Sequence, residues 1–460
     1  MTRSTARQSV PTSLPVRRPG TALRILATND LLATFEPLAT TYGRTGCIPY
    51  LEQLLDRERL DGPVLWLDGG DLSGGAARGL LRDDWPPAFA DVPIAAAAAG
   101  NHEFDDPGLL PDLGRVLAFP VLCADRGTEL PPSTLLSTPA GGVGVIGISH
   151  PSSELLGHAP ERRSDWMQAV ALEATSLRRA GARWVVALWH NGVTWTATGT
   201  RTGRWETETS AVAASFDLIL GGHTLTGWSG VLHGVPAGHG HGFAGSVLVV
   251  DLPADGAARV HAPHVLRTPA AGSDPTPGTG PRALLQEQLR RWQGTTIGHL
   301  RETLTMRPGE ANDLGDFIAR AWLDRVADAD AAIVPACELW TQPPIDGTVA
   351  ALLAGDISEL DLRRLFPFDD TLVLIELGAG RWERLLAAHD RMTDFANTEG
   401  DAVWWNWARG RAGIAQESDS PRRLVTSRFA ARLLDGAGAE LRTHPSDVHA
   451  SAPVAEVLQR

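Results

Sequence analysis

The sequence of 460 residues contains no lysine, so all 41 basic residues are arginine. This absence excludes mechanisms that need a primary amine, such as those built on a P-loop lysine, a kinase lysine or a Schiff base. The basic residues are outnumbered by 54 acidic residues, which gives a formal net charge of −13. Because proteins that coat nucleic acids carry a basic stripe, we expect no nucleic-acid partner.

Cysteines and long apolar runs are also scarce. The three cysteines, Cys47, Cys123 and Cys337, are too few and odd in number for a disulfide framework. No stretch of about 18 uncharged apolar residues occurs, so we expect no membrane-spanning segment and no membrane partner. The basic, Ser/Thr/Pro-rich start lacks the apolar core of a secretory signal. We therefore expect a cytoplasmic, reduced protein whose residues 1–21 form a disordered tail.

The sequence is rich in short apolar runs that each end in a polar turn. The runs are continuous rather than alternating, which indicates strands buried on both faces. Helical patterns lie between them at 48–60 and 164–181. Alternating strands and helices predict an α/β fold. The predicted strands cover 23–30, 64–71, 93–105, 143–150, 184–192, 216–224 and 247–252, although the alanine run in 93–105 also fits a helix.

A Pro/Gly/Ser/Thr-rich stretch divides the chain into two parts. We predict a first domain over 22–266, a linker over 267–282 and a second α/β domain over 283–460. The stretch 404–422 shows no regular period. In the second domain, helices are predicted at 283–300 and 312–328, and strands at 329–336 and 369–377.

Five fragments carry residues that suit metal chemistry: TND (28–30), GGD (69–71), GNHEFD (100–105), WHNG (189–192) and GGHT (221–224). They follow predicted strands, where the sites of open α/β sheets gather. Imidazoles, carboxylates and an amide oxygen suit manganese, zinc or iron(II). A carboxylate that bridges two metals can support a phosphoryl displacement, and a nearby histidine can protonate the leaving alkoxide. The candidate residues are Asp30, Asp71, Asn101, His102, Asp105, His190 and His223.

In this order and at these separations, the fragments resemble a calcineurin-like metallophosphoesterase. More narrowly they resemble the two-domain 5′-nucleotidase family, which includes UDP-sugar hydrolases and cyclic-nucleotide phosphodiesterases. In the second half, NDLGDFIARA (312–321) and GDISELDLRRLFPFDD (355–370) are also similar to that family. The resemblance implies two facing sheets with helices outside, a four-layer sandwich, followed by a 5′-nucleotidase-type substrate domain. It also implies a nucleotide-like small-molecule substrate.

The resemblance further implies the role of each candidate residue. One metal position would consist of Asp71, Asn101, His190 and His223, with Asp71 as the bridge to a second position. Asp30 would bind the second metal, or would instead serve as a partner of a backbone group. His102 would be the general acid and Asp105 its partner.

The second metal position departs from the family pattern. The family has histidines where this chain has Leu32 and Leu225, and leucine has no lone pair to offer a metal. We therefore expect one divalent metal, with an apolar contact in place of the second, although Asp30 and Asp71 could still hold magnesium or calcium. Two readings of the sequence His239–Gly240–His241 are open: it replaces the lost histidines, or it is an exposed glycine-rich loop.

The second half departs as well. Trp340 stands where the family has a phosphate-binding arginine, and Glu338 is close by, which favours a neutral or cationic group or no ligand at all. Trp404, Trp405 and Trp407 would either stack on a base or pack in an interface.

Three functions fit these residues, and the oligomeric state is open. The first is a metal-dependent phosphoric ester hydrolase with weak or atypical activity. The second is a catalytically degenerate relative that binds a ligand or a partner. The third is non-phosphate chemistry on a nucleoside-like substrate.

Overall fold

The computed structural model describes residues 14–74, 85–151, 153, 159–195, 201–202, 204–268, 278–307, 313–335, 339–368, 370–376, 405–408, 423–435 and 442–459. Within these ranges the strands up to residue 268 are β1 Thr21–Thr28, β2 Ala39–Thr40, β3 Gly43–Arg44, β4 Val64–Asp68, β5 Ala96–Ala98, β6 Val121–Leu122, β7 Ser133–Thr138, β8 Gly141–Ile148, β9 Ala182–Trp189, β10 Thr194–Trp195, β11 Arg201–Thr202, β12 Leu218–Leu220, β13 Trp228–Leu232, β14 Val235–His239, β15 Ser246–Pro253, β16 Arg259–Val260 and β17 His264–Val265. The later strands are β18 Thr296–Leu300, β19 Leu304–Met306, β20 Ala331–Pro335, β21 Ala350–Leu352, β22 Gly355–Ser358, β23 Thr371–Glu376, β24 Trp405–Ala408, β25 Arg423–Ser427 and β26 Arg442–His449. The α-helices are α1 Ile48–Leu60, α2 Trp85–Phe89, α3 Leu110–Val116, α4 Trp166–Arg179, α5 Arg204–Val212, α6 Gly280–Gln293, α7 Asp313–Arg325, α8 Glu359–Leu365, α9 Arg428–Leu434 and α10 Ser451–Leu458.

Two large sheets form the first half of the protein. One has the order β16–β15–β1–β4–β5–β6, with β17 also paired to β15, and the other has the order β13–β14–β12–β9–β8–β7. In each sheet the central strands run parallel: β1, β4, β5 and β6 in the first, and β8, β9, β12 and β14 in the second. The carboxyl ends of these strands therefore meet along one edge of each sheet, where the candidate residues follow.

The two sheets face each other across a shared apolar core. Ile25 and Leu67 of the first sheet belong to the same buried cluster as Val145, Val186 and Leu220 of the second. The outer face of the first sheet is covered by α1, α2, α3 and α6, and that of the second by α4 and α5. Because every strand at the centre is buried on both faces, its sequence reads as a continuous apolar run. The predicted four-layer sandwich is confirmed.

The second half contains a sheet of order β24–β20–β25–β23–β26 and two smaller sheets, β18–β22 and β19–β21. Helices α7 and α10 share its core through Ile318, Trp322 and Val454, and Trp322 Nε1 donates to the Ala450 carbonyl over 2.9 Å. The chain is thus mixed α/β throughout the described ranges.

The predicted elements match the observed ones with two corrections. The stretch 283–300 is not one helix: α6 ends at Gln293, Gly294 caps it, and the β-branched residues that follow enter β18. The stretch that starts at Trp404 contains a strand, β24, which pairs with β20. Among the described residues, no helix is both long and apolar enough to cross a lipid bilayer.

Candidate active site

Three side chains from three different strand ends converge at the edge of the two sheets. Asp71 follows β4, His190 follows β9 and His223 follows β12. One ligand atom of each lies within 4.8 Å of the others, and no other group of three His, Cys, Asp or Glu in the described ranges does so. Asp71 and His190 are buried and His223 is partly exposed, so an ion held here would be shielded from water on one side.

The ring of His190 is oriented with one nitrogen toward the protein and one toward Asp71. Nδ1 lies 2.7 Å from the Gly69 carbonyl and donates to it, so Nε2 is the nitrogen that could bind an ion once it has lost its proton. Nε2 is 3.0 Å from Asp71 Oδ2, but within the described residues no hydrogen bond to this buried nitrogen has acceptable geometry. Two donor atoms placed side by side without a hydrogen bond between them are arranged as ligands of one ion.

The charges of this group are strongly coupled. Burial alone would lower the pKa of His190, but the carboxylates of Asp71 and Asp30 raise it to about 10. Burial alone would raise the pKa of Asp71, but His190 and His102 hold it well below its usual range. Asp71 is therefore a carboxylate in the native protein, as a metal ligand must be.

His223 supplies a second imidazole. Its Nδ1 is 3.0 Å from Asn101 Oδ1, so the amide oxygen joins the same group of donor atoms. Asn101 follows β5 and is 4% exposed. Two imidazoles, one carboxylate and one amide oxygen fit manganese, zinc or iron(II). The structure brings together all four residues predicted for this metal position.

His102 and Asp105 form a pair at the rim of the site. His102 Nδ1 is 2.8 Å from Asp105 Oδ2, and the opposite nitrogen, Nε2, lies 3.9 Å from Asp71 Oδ2. The backbone N–H of His102 also donates to Asp71 Oδ1 over 2.8 Å. The ring thus turns Nε2 toward the converging ligands while the carboxylate holds the other nitrogen.

A buried glutamate fixes the turns that carry these ligands. Glu103 accepts backbone hydrogen bonds from Asp71 at 3.0 Å, Leu72 at 2.8 Å and Gly100 at 2.7 Å. Asp71 has a φ of +57°, a conformation that a residue with a side chain keeps only when its surroundings enforce it. A side chain at Gly100 would collide with the Asp71 carboxylate, which explains that glycine. The sequence analysis did not single out Glu103, although the GNHEFD fragment contains it.

Two residues that the resemblance assigned to a second metal position belong to an apolar cluster. Leu225 and its buried neighbours Leu38 and Phe243 pack together, and the partly buried Leu32 and Trp340 pack against them. We refer to these five residues as the apolar cluster. Leu32 and Leu225 both have positive φ, +46° and +56°, so their backbone keeps a conformation that is costly for leucine. The two leucines predicted at lost ligand positions do lie together.

Asp30 is 2% exposed. Its Oδ2 accepts from the backbone N–H of His223 over 2.8 Å and from Asn29 Nδ2 over 2.6 Å. Burial and the nearby Asp71 raise the pKa of Asp30 to about 6. The hydrogen bond from His223 matches one of the two roles predicted for Asp30, that of a partner of a backbone group.

The sequence of the first half of the chain matches a known family. Residues 23–227 match the sequence model of the calcineurin-like phosphoesterases. Residues 23–227 are a calcineurin-like phosphoesterase domain. This family uses divalent metals, and the predicted resemblance is confirmed for this part of the chain. No curated protein matches the sequence.

Solved structures show that the similarity in fold extends beyond the calcineurin-like phosphoesterase domain. A 5′-nucleotidase precursor from Thermus thermophilus is 19% identical, with a TM-score of 0.73 over 95% of this chain and 96% of that chain. The sulfate thiohydrolase SoxB from Thermus thermophilus is 16% identical, with a TM-score of 0.73 over 97% and 95%. A 5′-nucleotidase from Candida albicans is 12% identical, with a TM-score of 0.68 over 98% and 99%. At these identities the likeness establishes the fold alone.

The His239–Gly240–His241 segment of the sequence does not match either prediction. His239 ends β14 and is 1% exposed, so it is not in an exposed loop. Its Nε2 accepts from the Val193 N–H over 3.2 Å, and His241 Nδ1 lies 3.1 Å from Ser246 Oγ. Among the described residues, neither belongs to the converging ligands of the phosphoesterase domain. A glycine between two histidines resembles a loop, but here the strand continues to the first histidine.

The second half of the chain contributes two aromatic residues next to the phosphoesterase site. Trp340 packs against the apolar cluster. Phe368, which the sequence analysis did not select, stacks on the His102 ring with centroids 5.4 Å apart and planes at 28°. Trp405 and Trp407 lie on β24, where they pair with Pro335 and Ile333 of β20. Glu338 and Trp404 lie outside the described residues.

One further histidine lies against the candidate ligands. His150 follows β8 and is fully buried. Its ring stacks on that of His223 with centroids 3.7 Å apart and planes at 25°. One sequence signal could have identified it: it stands two residues after a strand, at the edge where the candidate ligands lie.

Proposed function

We propose that this protein is a metal-dependent phosphoric ester hydrolase that acts on a nucleotide or a related small phosphate ester and uses a single metal ion. The observation that carries the proposal is the convergence of Asp71, His190 and His223 within 4.8 Å, beside the His102–Asp105 pair. Ligands and a candidate proton donor at one sheet edge are the two components that hydrolysis of an ester needs.

In this proposal Asp71, Asn101, His190 and His223 hold the ion, which when bound supplies a Lewis acid for a phosphoryl oxygen and lowers the pKa of water. The Gly69 carbonyl fixes the ring of His190, because it accepts from Nδ1 over 2.7 Å and leaves Nε2 for the site. The chain thus holds its ligands in place before an ion binds.

His102 delivers a proton to the leaving oxygen. Asp105 accepts from Nδ1 over 2.8 Å, so the ring is held with Nε2 toward the ligands. Nε2 is 3.9 Å from Asp71 Oδ2, which leaves a substrate oxygen bound next to the ion within reach of this nitrogen after a small movement. Asp105 acts through His102 and is a positioning residue.

The apolar cluster is the reason to propose one ion rather than two. Leu225 is 7% exposed and contacts Leu38 and Phe243, so the space that an imidazole would take is filled with carbon. Without a second ion the site lacks the clamp on both the attacking and the leaving oxygen. We therefore expect slower hydrolysis than a two-metal site would give.

The substrate class has two supports. Two of the similar structures are 5′-nucleotidases, which is a property of those proteins and a hypothesis for this one. In addition, Phe368 is 38% exposed and places an aromatic face over His102, where the leaving group of a substrate would lie. A planar base can pack on such a face.

The test is hydrolysis of p-nitrophenyl phosphate and of adenosine monophosphate by the metal-free protein and by the protein with added Mn²⁺. We expect activity only with metal, and a loss of about 10²–10⁴-fold in kcat for His102→Ala because a general acid contributes that much. His299→Ala is the matched control, because the side chain of His299 is 63% exposed and faces Asp356 rather than the site.

Two outcomes would reject the proposal. If His102→Ala turns over at the wild-type rate, the proton donor is wrong. If the protein binds Mn²⁺ but hydrolyses neither ester, the proposed hydrolase activity is wrong. The remaining functions are then a ligand-binding relative without catalysis, or an enzyme that acts on a non-phosphate substrate.

A further inference from the structure

The strongest unexplained feature near the site is His150. It is fully buried and follows β8, a strand that carries none of the candidate ligands. Its ring lies against the rings of two candidate ligands, His190 and His223. Its ring is parallel to that of His223, with centroids 3.7 Å apart, and nearly perpendicular to that of His190, with centroids 6.4 Å apart. A buried ring stacked this closely restricts how far the His223 ring can turn about its own side-chain bonds.

The backbone of His150 is itself fixed by hydrogen bonds. Its carbonyl accepts from Arg126 Nη2 over 2.8 Å and from Ser153 Oγ over 2.9 Å. Arg126 is buried and also donates from Nε to Ser149 Oγ over 2.6 Å. The neighbouring Asp125 accepts from the Ser149 N–H and hydroxyl, each over 2.9 Å. The turn that carries His150 is therefore held by a buried polar network.

We propose that His150 is a positioning residue for His223, which it holds by ring stacking so that Nδ1 faces Asn101 Oδ1, 3.0 Å away. The inference rests on the proposed function in so far as it takes His223 as a metal ligand. Residues that orient a ligand typically affect metal affinity by about 10–100-fold. What matters in this proposal is the flat ring of His150 and not its nitrogen atoms.

The experiment compares Mn²⁺ binding by isothermal titration calorimetry in the full-length wild type, His150→Ala and His150→Phe. We expect the dissociation constant to rise about 10–100-fold in His150→Ala. We expect His150→Phe to restore it to within about threefold of the wild type, since a phenyl ring keeps the stacking. His261→Ala is the control, because it removes a partly buried imidazole that pairs with Asp251 over 3.0 Å, on the first sheet.

The outcomes separate this inference from the proposed function. If the wild type binds no Mn²⁺, the proposed function fails and the inference fails with it. If the wild type binds Mn²⁺ and folded His150→Ala binds it equally well, only the inference fails. If His150→Phe folds but binds as weakly as His150→Ala, a nitrogen of His150 is needed and the stacking account is wrong. Should His150→Ala not fold, the result for His150→Phe decides alone, because wild-type affinity supports the stacking and a weakened affinity overturns it.

Discussion

Replacing Leu32 and Leu225 of the apolar cluster by histidine should create a second metal site. The variant is Leu32→His with Leu225→His, and its effect on stability can be worked out from the structure. Leu225 is 7% exposed, and fully burying a leucine side chain contributes about 1.5–3 kcal/mol. Histidine forfeits part of this, but it adopts positive φ more readily than leucine does, so the conformation at both positions becomes less costly.

We therefore expect the metal-free variant to be less stable than the wild type by about 1–3 kcal/mol. Added Mn²⁺ should reverse this loss. An ion present at a hundred times its dissociation constant stabilises the native state by about 2.7 kcal/mol per site, and the variant would have one more site than the wild type. The assay is chemical denaturation with and without Mn²⁺, together with the metal content of each protein.

The matched control is Leu32→Ala with Leu225→Ala, which removes the same apolar groups without supplying ligands. It should be destabilised in the same direction, and Mn²⁺ should stabilise it no more than it stabilises the wild type. The reasoning is refuted if the folded histidine variant takes up no more Mn²⁺ than the alanine variant. It is also refuted if the wild type already gains stability from two ions.

Three further predictions concern stability and the support of the ligands. Arg24→Met should lower the free energy of unfolding by about 3 kcal/mol, because it removes the guanidinium that lies 2.8 Å from the buried carboxylate of Asp251 and leaves His261, 3.0 Å away, as a weaker partner; denaturant titration measures this. Burial raises the pKa of Asp251, but Arg24 and His261 lower it further, so the native pKa lies below the usual value. The Arg24–Asp251 pair therefore stabilises the protein above the unfolded carboxyl pKa of about 3.9. This stabilisation is lost as the pH falls through the lower native pKa. Unfolding midpoints between pH 7 and pH 2 should show that loss in the wild type and less of it in Arg24→Met. Glu103→Gln should weaken Mn²⁺ binding about 10–100-fold, because an amide cannot accept all the backbone N–H groups that hold the Asp71 turn; an unchanged affinity would show that the turn needs no carboxylate.

The sequence predicted which candidate side chains lie close together because chemistry and topology agree there. Asp71, Asn101, His190 and His223 each follow a buried strand, and parallel strands bring their carboxyl ends to one edge whatever the loops between them do. The fold class follows from the same continuous apolar runs. The helix expected over 283–300 was too long because a glycine and β-branched residues end it, which is a local signal.

The sequence could not reveal what depends on contacts between distant segments. Leu32 and Leu225 could be recognised as substitutions, but their packing with Leu38 and Phe243 appears only in the folded chain. His150 lies more than seventy residues from His223 in sequence, and a single histidine in a turn has no pattern that indicates a ring stack. The positive φ values that shape these turns are likewise set by the fold and not by residue type.

The central claim is a site that holds one metal ion beside an apolar cluster. The most direct measurement is the metal content per chain of the wild-type protein, by elemental analysis after saturation with Mn²⁺ and removal of loosely bound ions. One ion per chain, lost in His190→Ala, is the predicted result. Two ions per chain, or none, would contradict the account.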